Sequence, residues 1–277
     1  MNAVGRLLSQ APAVPPVAAK RGAEAHVRWA WVEACVWTET MLAALESGVK
    51  GGRWYSLMDK VMAAATLRAA WQRVQANRGS AGVDRISVQR FAFKAERYLA
   101  ELEQALRTDT YRPQPVRRVE IAKAAGGVRP LGIPTVKDRI VQSALKMVIE
   151  PIFEREFDDA SYGFRPQRGC KDALREVDQH LKRGRVWVVD ADIRAYFDSV
   201  GHERLLRQVQ ERISDGRVLA LIERFLRQDI VQGLARWSPT GGTPQGAVIS
   251  PLLANVVSAR NGCAVARGRT RAGALRR

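Results

Sequence analysis

Val186-Trp187-Val188-Val189-Asp190-Ala191-Asp192-Ile193, continued by Arg194-Ala195-Tyr196-Phe197-Asp198, is the stretch on which the reading of the fold turns. Four β-branched or aromatic residues follow the basic segment from Lys182 to Arg185 and precede two acids, which predicts a short buried strand. Side chains alternate along a strand, so Asp190 and Asp192 are expected on one face. Two carboxylates at the end of such a strand need water, a cation or a metal. Capping of the strand or of the helix that follows is the other reading. These residues alone leave both open.

Working outward, the 277 residues are 46% hydrophobic, enough for a packed core in one large or two small domains. The formal net charge of +17 points to a polyanionic partner, with nucleic acid ahead of an acidic membrane surface. No run approaches the roughly 18 apolar residues of a membrane span. The first residues lack a secretory pattern, so a cytoplasmic chain with no membrane partner is expected. Cys35, Cys170 and Cys263 are odd in number and far apart, which argues against a disulfide framework or a zinc site.

The flanking segments are largely helical in period. Residues 1 to 25 are expected to be a flexible lead, followed by helices over Trp29 to Leu45 and Trp54 to Val74. The glycines of Asn77 to Asp84 mark a loop, and Val88 to Leu106 reads as a further helix. Val116 to Ile121 and Val128 to Ile133 flank Ala125-Gly126-Gly127 and predict a hairpin. Lys123 and Arg129 sit beside its turn; they are either solvated cations or a pair that meets one anion. Thr135 is placed to cap a helix that Pro151 should end or restart. Ser161 to Gly169 is a loop mixing Tyr162, Phe164, Arg165 and Arg168, and Ala173, Leu174, Val177 and Leu181 form a helical stripe leading to the Asp192 stretch. Beyond Asp198, two short helices lead to the tight loop Gly241 to Gly246 and to a helix opened by Ser250-Pro251. Helices outnumber strands and do not alternate with them, so the class is α+β.

Several of these pieces, in this order, closely resemble bacterial group II intron reverse transcriptase/maturases. They are Trp54 to Asp59, Arg78 to Asp84, Arg129 to Arg139, Tyr162 to Pro166, Asp190 to Ile193, Gly242 to Gly246 and Ser250 to Asn255, within residues 37 to 256. The resemblance implies a right-hand polymerase fold: an N-terminal extension and largely helical fingers with a β-hairpin over 26–185, and a partial palm with an incomplete antiparallel sheet over 186–256. It implies an RNA-directed DNA polymerase whose partners are intron and template RNA, a DNA primer and dNTP. Chemistry of this kind uses two Mg²⁺ ions about 3.5 to 4 Å apart. Carried over residue by residue, Asp192 is the catalytic, metal-binding acid, with the Ile193 backbone beside it. Phe197 is the filter against a ribose 2′-hydroxyl. Lys123 and Arg129 grip the triphosphate, and Gln245 lies by the incoming nucleotide. Arg165, Pro244 and Gly246 are assigned to the template and primer, and Asp190 is a supporting residue.

The departures are also specific. Ala122 and Ala124-Ala125 stand where the family carries prolines, and Arg85 where it has a glycine. No Tyr-Ala-Asp-Asp occurs, and no acid follows Asp229. The last 22 residues hold six arginines; residues 257–277 are expected to be a disordered basic tail. The expectation is therefore a polymerase cut before its second metal-binding motif, by frameshift or truncation, and inactive as this chain. Two alternatives stay open: a noncatalytic RNA-binding remnant or splicing cofactor, and a retron or diversity-generating polymerase.

Overall fold

The computed structural model describes residues 28–122, 126–188, 190 and 192–259. Residues 1 to 25, expected as a flexible lead, most of the residues expected as a basic tail, and Lys123 lie outside the described residues. A single apolar core runs from Trp29 to Val257.

Its centre is helix α6, and the N-terminal helices pack around it. The first of these, α1 (Glu39–Ser47), starts ten residues later than the apolar period suggests, because the Thr38 side chain accepts from Met41 N and caps it. Residues 29–37 run through turns instead, yet Trp29, Val36 and Trp37 are buried. The Trp37 indole donates to Met147 O at 3.1 Å, which fixes this segment on α6. The single helix expected over Trp54 to Val74 is two, α2 (Met58–Met62) and α3 (Ala64–Ala76), with Ala63 in extended conformation between them. The bend lets both Val61 and Leu67 reach the core, neither exposing measurable surface. The helix expected over Val88 to Leu106 likewise divides, at Phe93 and Lys94, into α4 (Val88–Ala92) and α5 (Ala95–Arg107).

β1 (Val116–Ala122) and β2 (Val128–Ile133) form the expected antiparallel hairpin. α6 (Val136–Glu154) starts where Thr135 Oγ1 accepts from Asp138 N at 3.1 Å. It does not end at Pro151. The missing N–H removes one helical hydrogen bond, but burial of Ile152 and Phe153 holds the last turn in register. The loop from Asn77 to Asp84 is clamped on this helix start. The Arg139 guanidinium donates to Ser80 O, that of Arg117 to Ala81 O, and a Cβ on Gly82 would lie 2.7 Å from the Thr135 backbone.

Next come α7 (Cys170–Lys182), α8 (Tyr196–Ser199), α9 (His202–Gln210) and α10 (Gly216–Leu226). Asp215 caps α10 through Arg217 N and Val218 N, and its other oxygen accepts from Leu57 N and Met58 N. One carboxylate thus joins two helix starts that are far apart in sequence. β3 (Ile230–Gln232) and β4 (Ala235–Trp237) follow, and α11 occupies residues 250–259, so residues 257 to 259 are helical and Val257 is buried.

The α+β class holds, but the sheet is not the one expected. Its strand order is β2-β1-β3-β4, with β1 and β3 parallel and the outer pairs antiparallel. The stretch from Val186 to Ile193 contributes no strand among the described residues. Val186, Trp187 and Val188 are 73%, 95% and 75% exposed. A strand needs a neighbour to accept its N–H groups and a layer to cover its apolar face; no described segment pairs with this one. Propensity without pairing leaves its described residues in solvent.

Candidate nucleotide-binding cleft

The loop from Pro239 to Gly246 is held from both sides. Thr243 N donates to Phe197 O at 2.7 Å, and Gly242 N to Val200 O at 2.8 Å. On the far side Gly132 N, in β2, donates to Gln245 O at 2.6 Å. Gly246 sits at φ +103°, and a Cβ there would lie 2.4 Å from Gly132 O, so only glycine allows the approach. The buried His202 ring contacts Gly242 O at 2.7 Å, the Ser250 hydroxyl donates to Pro244 O, and Val248 N donates to Gln142 Oε1 on α6. Strand, loop and α8 with the residue after it are thereby locked together.

Between them lies a cleft of about 180 Å³, lined by Arg118, Gly132, Asp198, Thr243, Pro244 and Gln245 among others. Two of its polar atoms are buried without a hydrogen-bond partner, Arg118 Nε and Thr243 Oγ1. The Arg118 guanidinium stacks 5.6 Å from the Trp237 ring centroid, which fixes its plane. A cleft with an oriented cation, a buried hydroxyl and the carboxylate of Asp198 at its wall suits a polar, hydrogen-bonding ligand.

Of the residues expected at a site, Gln245, Pro244 and Gly246 meet Phe197 through this loop. The Phe197 ring is half-buried and lies edge-on to Tyr196 at 6.0 Å and Phe164 at 6.4 Å. Tyr196 is anchored by its hydroxyl on Ala254 O. The preceding residue, Ala195, has φ +51°, an uncommon conformation for a residue with a Cβ, and it turns the chain sharply from Asp192 into α8. Arg129 lies on β2 with its side chain exposed.

Asp190, Asp192 and Ile193 are exposed and do not line the cleft. Among the described residues, no three His, Cys, Asp or Glu side chains converge on a point that would hold a metal ion. Among the described residues the carboxylates thus do not gather into a two-ion Mg²⁺ site. Arg165 is turned inward, with its side chain 3% exposed. It donates to both Glu154 oxygens, to Ser161 O at 2.8 Å and to Asp158 O, and stacks on Phe157. Its guanidinium shapes the loop before Gly169 from within, and its bonds in this structure are all to protein atoms.

Under the sheet, Asp138 joins three elements. It accepts from the Tyr111 hydroxyl at 2.5 Å, Gln114 N at 3.1 Å and Gln228 Nε2 at 3.2 Å. Burial raises its carboxyl to about 6 against these hydrogen bonds, and burial also raises the Tyr111 hydroxyl well above its ordinary value. This hub sets where β1 starts and where α10 delivers β3. Arg118, Thr243, Asp198 and Asp138 were not singled out as site residues from sequence. Thr243, Asp198 and Asp138 had a signal, their places inside the Gly-Thr-Pro-Gln-Gly loop, the Asp192 stretch and the Arg129 to Arg139 segment; Arg118 had none.

A family model described as reverse transcriptase (RNA-dependent DNA polymerase) matches residues 121–262. The chain is 42% identical over 182 residues to protein YkfC of Escherichia coli, covering 64% of this chain and 47% of that protein. It is 37% identical over 188 residues to the group II intron-encoded protein LtrA of Lactococcus lactis, covering 68% of this chain and 31% of that one. A 91 kDa protein in the cob intron of Schizosaccharomyces pombe is 40% identical over 153 residues, covering 55% of this chain and 19% of that protein. The chain thus spans about half or less of the length of these relatives. Among the described residues, no helix is long and apolar enough to cross a membrane.

Proposed function

We propose, for a chain that belongs to the reverse transcriptase (RNA-dependent DNA polymerase) family, that the cleft between β2 and the Gly242 to Gly246 loop receives a nucleotide opposite template RNA in a polymerase of the group II intron-encoded kind. The observation that carries this reading is the three-way lock of Gly132, Phe197 and the loop around two buried, unpartnered polar atoms. A backbone held this tightly keeps its shape while a ligand comes and goes. The Arg118 guanidinium and the Thr243 hydroxyl supply hydrogen bonds to the ligand's polar edge. The Phe197 ring, held between Tyr196 and Phe164, is the proposed wall against a 2′-hydroxyl. Arg129, exposed on the hairpin, and Lys123 are the proposed phosphate contacts.

Asp192, with the Ile193 carbonyl, is the proposed contribution of this chain to Mg²⁺ binding, and Asp190 supports it electrostatically. When bound, Mg²⁺ neutralises developing charge on the transferred phosphate. The described residues offer it no further carboxylate set, so binding is the property this geometry supports. Intron RNA and a DNA primer are the proposed partners.

Filter binding of an RNA-template, DNA-primer duplex, with and without the next complementary dNTP, tests this. The nucleotide should tighten the complex, and Thr243→Val and Arg118→Ala should remove that gain. Phe197→Ala should let the matching ribonucleotide act as well as the deoxynucleotide. Equal tightening by any nucleotide in wild type and Thr243→Val would overturn it. The absence of a gathered carboxylate set favours a second reading, a noncatalytic RNA-binding protein; template-directed primer extension lost in Asp192→Ala would exclude that reading.

A further inference from the structure

A second face, formed by α3, the loop after it and α4, carries side chains that the cleft does not use. Gln72, Gln75, Arg78, Gln89 and Phe93 line an open groove of about 890 Å³ with Ala76, Val88 and Ala92. That volume is within the range of ligand-sized clefts, about 300 to 1,000 Å³. No acid lines it. Phe93 is 88% exposed, at the break between α4 and α5, while its neighbour Phe91 is fully buried against Trp71 and Tyr98. The same short segment therefore sends one phenyl ring into the core and leaves one in water. Exposing a whole aromatic side chain gives up on the order of 2 kcal/mol of burial.

The polar groups around this ring are also unused. The amides of Gln72, Gln75 and Gln89 make no hydrogen bond to another described residue, and Arg78 and Lys94 make no ion pair with one. The two arginines within α3 are engaged, Arg68 with Glu96 and Arg73 with Glu33. Arg78 is held in a left-handed conformation at φ +47° at the end of α3, which turns the chain along the groove rim. A flat aromatic face, three amides that both donate and accept, and a nearby cation with no acid match an unpaired base and its phosphate. An acidic peptide would call for more cations and no aryl platform.

We propose that this groove is a second nucleic-acid contact, in which an unpaired RNA base stacks on Phe93, its edge meets the glutamine amides, and Arg78 takes the adjoining phosphate. The choice of RNA as the strand rests on the function proposed above; the groove itself is separate from the cleft, and the two share no lining residue.

Fluorescence anisotropy of the full chain with a short single-stranded RNA tests the proposal. Because Phe93 is exposed, its variants keep the fold. Phe93→Ala should weaken binding by about 5- to 100-fold, the range for losing one stacked base. Phe93→Trp should bind at least as tightly as wild type, and Phe93→Leu, apolar but not aromatic, as weakly as alanine. Arg78→Ala should reduce the salt slope by about one without changing base preference. Blunt duplex RNA should be indifferent to Phe93→Ala. Wild-type affinity in Phe93→Leu, or an equal loss on duplex and single strand, would overturn the proposal. The two readings fail separately. Nucleotide-dependent tightening at the cleft with no effect of Phe93→Ala defeats the groove alone, and a Phe93-dependent single-strand affinity without that tightening defeats the cleft alone.

Discussion

Helices α6 and α7 are both long and amphipathic, and they meet opposite fates. From Val136 to Glu154 every residue except Lys137 and Lys146 is buried, whereas from Cys170 to Lys182 none is. The apolar stripe of α7 is intact in sequence, yet Leu174, Val177 and Leu181 are 66%, 51% and 48% exposed. An apolar stripe only states a demand for cover; another element has to meet it. α6 receives α2, α3 and the loop from Asn77 to Asp84, and no described element closes over α7. The segment that follows α7 carries Asp190 and Asp192, and it too is exposed. The acids that the sequence marks as chemical thus lie in a segment that no described element covers, while the proposed nucleotide cleft lies between elements packed on the core.

The strongest way to break this contrast is to attack the buried pair at the end of α6. Arg165→Met leaves Glu154 buried without its cation, and removal of one partner from such a pair costs about 3 to 5 kcal/mol. Urea unfolding should show the unfolding free energy falling by that amount through a lower midpoint, with little change in slope. If Arg165 instead contacted RNA from the surface, stability would hold and RNA affinity would drop. Next in size is the core of α6 itself. Leu145 exposes no surface, and Leu145→Ala should cost about 2 to 5 kcal/mol.

The hub at Asp138 gives a pH signature to the same helix. Its carboxyl is raised to about 6 in the folded chain, against an ordinary 3.8. Between those values the folded state holds more protons than the unfolded one, so stability falls as pH rises from about 4 to about 6. The span is at most about 3 kcal/mol, and Asp138→Asn should flatten it. Thermal melts at pH 4.5 and pH 6.5 check the sign; a wild-type melt that rises with pH and is unchanged in Asp138→Asn would show that burial does not dominate at this carboxyl.

How much of this was legible in the sequence follows from the range of each interaction. Thr135 as a cap, the hairpin from Val116 to Ile133 and the class α+β are set by residues a few positions apart, and they read correctly. The breaks at Ala63 and Phe93 were not visible, because the first serves contacts with distant α6 and the second packs Phe91 on Trp71 of α3. β3 and β4 are three residues each; Ile230 pairs with Val116 across more than a hundred positions, and nothing local announces that. The motif around Gln245 was legible as a family pattern, but its docking against Gly132 and Phe197 was not. The reverse error occurred at Val186 to Val188, where β propensity was read correctly and the strand still failed for want of a neighbour.

The smallest expected effect is also the one that most sharpens the comparison. Leu174 on α7 has the same side chain as Leu145 on α6, and a surface substitution away from special features changes stability by no more than about 0.5 kcal/mol. Leu174→Gln should therefore leave urea unfolding unchanged while lowering the binding of an apolar dye, because it removes exposed apolar surface without removing packing. A loss approaching that of Leu145→Ala would mean that α7 is covered in solution, and then the exposure of Asp192 beyond it would need the same revision. Equal behaviour of the two leucines would erase the division between a packed nucleotide cleft and an uncovered acidic segment.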